Sequence, residues 1–139
     1  MNSFFLNSEE ALTNRFLRDG YVILPAESMH DLDWIKREVC EANGSADLDH
    51  VRPENLNDLK LKVMAHLNAW QTARRCYFSL AQEALYALIG SELAMQKKFN
   101  LNIQLPGDAT SLLPVHADTW TGDSAYQLVL WVPLVDCYR

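Results

Sequence analysis

Two residues in the C-terminal third have types and spacing that could do chemistry: His116 and Asp118, within "LLPVHADTWTGDSAYQLVLWVPL". In an extended segment, side chains two apart project to the same side, so an imidazole nitrogen and a carboxylate oxygen can meet at one point. Such a pair forms two corners of the two-histidine, one-carboxylate triad that holds Fe(II) with coordination positions left open. A hydrogen-bonded polar turn at a strand end uses the same two residues. With 18 acidic residues in 139 and four histidines, roughly half a match arises from composition alone, so the pair by itself does not choose between the two. The other histidines, His30, His50 and His66, lie upstream in predicted helix or loop.

The elements that would position the pair are read from periodicity. "KKFNLNIQLPG" sets Phe99, Leu101, Ile103 and Leu105 against Lys98, Asn100, Asn102 and Gln104, and Pro106-Gly107-Asp108 turns the chain. "YQLVLWVPLVDC" sets Leu128, Leu130, Val132 and Leu134 against Gln127, Val129 and Trp131. Both alternations predict strands, the first with one apolar and one polar face, the second buried on both sides or with its mixed face lining a cavity. Upstream, Asn7 or Ser8 is expected to cap a helix that Asp19-Gly20 stops, and "YVILP" reads as a short strand. Leu32, Ile35 and Val39 predict a second helix from Ser28 to Gly44, followed by a polar loop, "SADLDHVRPEN". Leu59, Val63, Leu67 and Trp70 form the next apolar face, and "SLAQEALYALIGS" a further helix ending at Gly90.

These elements predict one domain over 1–139, mainly helical with one short strand over 1–92 and built of strands over 93–139. A formal net charge of −6 leaves no basic footprint, which argues against nucleic acid or an anionic membrane as the primary partner and leaves a small-molecule substrate open. No targeting segment or bilayer-length apolar run is visible, so a soluble, cytoplasmic protein is expected. Cys40, Cys76 and Cys137 are odd in number and show no paired spacing, which predicts reduced, mostly buried thiols.

In order along the chain, "LRDGYVILP", "FNLNIQLPGD", "HAD" and "LVLWVPLVD" resemble the Fe(II)/2-oxoglutarate-dependent oxygenases. The resemblance is to the phytanoyl-CoA dioxygenase-like group and, within it, to oxygenases of sporadic carbohydrate clusters. It implies an α+β fold in which the helical part precedes the first strands of a double-stranded β-helix barrel of the jelly-roll or cupin type. It also implies that His116 and Asp118 are iron ligands, and that Trp131, with Asn102 or Gln104, lies beside the 2-oxoglutarate cosubstrate. Read from the residues alone, Trp131 is equally a core aromatic, and Asn102 and Gln104 a solvated strand face. Trp120 shares the face of His116 and Asp118 and would shape a pocket or pack on the metal loop.

The implied activity is oxidation of a small, carbohydrate-related metabolite by dioxygen. The family's distal histidine and its 2-oxoglutarate-binding arginine lie well beyond the aspartate, whereas only "CYR" follows Asp136 here. Arg139 matches no motif position, and only three or four barrel strands can be counted. The expectation is therefore the N-terminal part of a longer oxygenase, without turnover as this chain. Two alternatives stay open: a non-redox, cupin-like module binding metal or sugar, and a non-catalytic interaction protein whose helices are the working surface. Oligomeric state is not legible.

Overall fold

Residues 6–44, 53–104 and 114–135 are described by a computed structural model. Helix α1 (Asn7–Asp19) is not capped by Asn7 or Ser8 as expected: Leu6 holds the N-cap position, and the Glu9 carboxylate accepts its amide at 2.8 Å. Gly20, at φ 76°, ends the helix by donating its N–H to the Phe16 carbonyl. Helix α2 (Met29–Asn43) is capped by Ser28, whose hydroxyl accepts the Asp31 amide at 3.3 Å. Gly44 closes it at φ 80°.

A 3-10 turn at Pro53–Asn55 leads into α3 (Leu56–Ala69), which buries Leu56, Leu59, Val63 and Leu67. Trp70 does not continue that face. Its extended backbone, φ −106° and ψ 120°, breaks the chain between α3 and α4 (Gln71–Ser79), and the residue is 53% exposed. Helix α5 (Gln82–Ile89) follows.

α2 packs on α3 and α4, and α1 packs on α5. The buried side chains form two clusters: Val39, Ala42, Leu59, Val63, Leu67 and Ala73 in one, and Leu32, Ile35, Cys76 and Leu80 in the other. Trp34 and Leu134 pack against both. Polar contacts tie the corner between α4 and α5 to the start of α2. The Glu27 amide donates to the Leu80 carbonyl, and the Glu27 carboxylate accepts the amides of Glu83 and Ala84 at 3.0 and 3.1 Å, capping α5 from 56 residues away. The Ser79 hydroxyl donates to Asp31 and holds its carboxyl down to about 2, against partial burial, with smaller help from Ser28 and His30.

The predicted fold class is overturned. Helix accounts for 58% of the described residues, which contain five α-helices and no strand or sheet, so neither the α+β class nor the opening strands of a double-stranded β-helix over 93–139 is present among them. "YVILP" is not a strand either; Tyr21, Ile23 and Leu24 are exposed there. The reason lies in what a period of two encodes. Leu128, Leu130, Val132 and Leu134 are half-buried while Gln127, Val129, Trp131, Pro133 and Val135 are exposed, and Phe99, Leu101 and Ile103 alternate likewise with Asn100, Asn102 and Gln104. Each segment lays one face on the helical layer, which satisfies the pattern without a neighbouring strand.

Side chains stand in for a ladder. Asn68 accepts the Phe99 amide at 2.8 Å, and the Tyr77 hydroxyl donates to the Leu130 carbonyl while its ring meets Phe99 edge-on at 5.2 Å. Burial raises the Tyr77 hydroxyl above its ordinary value.

Leu105, the turn at Pro106-Gly107-Asp108, His50 with most of its polar loop, Asp136, Cys137 and Arg139 lie outside the described residues. Cys40 is half-buried and Cys76 buried, both as free thiols. No helix among the described residues is long and apolar enough to cross a membrane.

Candidate functional site

The segment carrying His116 and Asp118 is short and locally determined. Ala117 between them is extended, φ −123° and ψ 133°, which turns both neighbours to one side even though no strand forms. Asp118 then opens a 3-10 turn, Asp118–Thr121, whose end is set by Gly122 at φ 101°. The Thr121 hydroxyl donates to the Asp118 carbonyl at 2.7 Å, and the Asp123 amide donates to the same oxygen at 3.3 Å. The aspartate backbone is held from two directions.

The imidazole is oriented from its other edge. Nδ1 lies 2.7 Å from the Pro114 carbonyl. A carbonyl only accepts, so Nδ1 is the donor there, and Nε2 is the ring nitrogen left facing the aspartate. Nε2 lies 3.5 Å from Asp118 Oδ1. That separation is at the outer limit of a hydrogen bond, and it aims the two atoms at one shared point. Two bonds of about 2.1 Å from one ion span up to about 4.2 Å, so both atoms can reach a single divalent metal.

The donor set, imidazole nitrogen plus carboxylate oxygen with a backbone carbonyl fixing the ring, suits iron or a similar transition metal. The two side chains are 46% and 47% exposed, so such an ion would face solvent and small ligands. Among the described residues no third histidine, cysteine or carboxylate joins them.

The other predicted positions are not drawn into this geometry. Asn102 and Gln104 are exposed and make no hydrogen bond among the described residues. Trp131 is 69% exposed, so it is not a core aromatic, and Trp120, beside the pair, is 76% exposed. The residues that sequence reasoning missed are those orienting the pair, Pro114 and Thr121. A threonine three residues beyond an aspartate was a visible turn signal; the proline carbonyl left none.

A second grouping of donors lies elsewhere. Glu38 and Glu41 on α2 and His66 on α3 bring one ligand atom each within 4.8 Å of the others. Glu38 Oε2 and His66 Nε2 are 2.9 Å apart, so these two satisfy one another as an ordinary hydrogen-bonded pair. No family model, curated protein or solved structure matches this chain.

Proposed function

We propose that the chain supplies the His-x-Asp pair of an Fe(II)/2-oxoglutarate-dependent oxygenase acting on a small, carbohydrate-related metabolite. The observation that carries this reading is His116 Nε2 facing Asp118 Oδ1 at 3.5 Å, with Nδ1 engaged by Pro114. His116 and Asp118 would hold the metal, and the turn closed by Thr121 and Gly122 would keep the carboxylate in register with the ring. When bound, iron with 2-oxoglutarate supplies the activation of dioxygen, and the protein's part is to keep the metal open on one side.

The test is a titration of the chain with Co(II) in place of Fe(II), followed by its d–d absorption and by calorimetry, with and without 2-oxoglutarate. Binding that tightens with 2-oxoglutarate and weakens by about tenfold or more in His116→Ala is expected, the size of a lost ligand's contribution. Unchanged Co(II) affinity in His116→Ala removes the assignment. A second reading, a non-catalytic interaction protein, is favoured by the outward Trp120, Tyr126 and Trp131, which are 76%, 95% and 69% exposed. Absence of any Co(II) binding in the unaltered chain selects it.

A further inference from the structure

Cations gather on one side of the helical layer, around α4. Arg74 and Arg75 on α4, with Lys97 and Lys98 just before Phe99, border two adjoining hollows of about 390 and about 380 Å³ that share Gln71 and Arg74. Both are recesses open to solvent, not enclosed cavities. No carboxylate lines either hollow. Arg74, Lys97 and Lys98 have no ion-pair or hydrogen-bond partner among the described residues.

In a chain with 18 acidic and 12 basic residues, the ordinary outcome is that cations are interspersed with carboxylates. Gathering positive charge in a concave, one-signed hollow raises the self-energy of the free protein and focuses its field outward. A visiting anion relieves both effects.

Two further features narrow the ligand. Trp70 forms a wall of the second hollow and leaves 53% of its surface exposed, giving a flat aromatic face beside the cations. Asn68, on the same wall, is already committed: its side chain donates to the Met64 carbonyl at 2.7 Å and accepts the Phe99 amide at 2.8 Å. Those bonds fix the backbone that carries Lys97 and Lys98 against the end of α3. The cationic hollow is thus fastened to the helical layer on both sides.

We infer that Arg74, Lys97 and Lys98 receive a phosphate ester, with its phosphoryl oxygens on the three cations and its organic part along Trp70. Arginine offers paired N–H donors to two phosphate oxygens, and the lysines add point charges. The inference is independent of the His116–Asp118 reading.

The experiment is calorimetric titration of the whole chain with pyrophosphate and with adenosine monophosphate at fixed ionic strength, with citrate as a carboxylate of similar charge. Tryptophan emission is followed in parallel. Saturable binding of both phosphate compounds, with citrate at least about tenfold weaker, is expected for a site shaped to phosphoryl oxygens. The exposed pair Lys97→Gln/Lys98→Gln should weaken pyrophosphate by about tenfold or more, as lost charge-assisted contacts imply, with the helical circular dichroism unchanged. Trp70→Phe should retain calorimetric binding and lose most of the emission change. Absence of saturable binding, citrate binding as tightly as pyrophosphate, or unchanged affinity in the double lysine variant would each overturn the inference.

Discussion

Asp31 accepts from the Ser79 hydroxyl across 48 residues of chain, and its folded pKa of about 2 lies below the ordinary 3.8. A carboxyl whose pKa is depressed by folding contributes stability that is fully present above its unfolded value and is lost as pH falls toward its folded value. Stability should therefore decline between about pH 4 and pH 2, and Asp31→Asn should flatten that part of the profile, as urea titrations at stepped pH will reveal. A profile of the same slope in the variant would rule out Asp31 as its source. At this scale the sequence was legible only where partners are close in the chain. His116 and Asp118 face one another because one extended alanine separates them, a relation that spacing encodes. The tie from Asp31 to Ser79 depends on the meeting of two helices, which no local pattern specifies.

Helix ends were readable for α1 and α2 because Gly20, Ser28 and Gly44 act on their own neighbours. The end of α3 was not: Trp70 continues the apolar spacing of Leu59, Val63 and Leu67, yet its backbone is extended and α4 begins at the next residue. The two period-2 segments show the limit of patterning most plainly. The apolar face of Phe99, Leu101 and Ile103 turns inward as its alternation implies, whereas Val129 and Trp131, expected to be buried or to line a cavity, are exposed. The surface that receives Leu101, Ile103 and Val132 is helical, and alternation does not say what lies opposite. α5 has no local side-chain cap and takes its cap from Glu27. Glu27→Ala should cost about 1 kcal/mol, the ordinary loss for a helix cap, measured by chemical denaturation. A loss within error of zero would show that water caps α5 equally well.

Among the described residues, Trp34 and Leu134 pack against both buried clusters, so loosening either cluster uncovers a side chain that the other also packs. The helical signal and tryptophan emission should consequently report one coincident thermal transition. Leu134→Ala should lower both together, whereas two separated transitions would mean that the clusters are independent units.

The caps and clasps that bind Glu27 to α5, Asp31 to Ser79 and Tyr77 to Leu130 span 56, 48 and 53 residues. Each forms only after a long stretch of chain has been drawn into a closed loop, at an entropic cost met before any of these contacts exists. The consequence is kinetic: these ties form late, after the short helices whose own contacts are local. During that delay the apolar face meant for the helical layer, Leu128 to Leu134, is still in water.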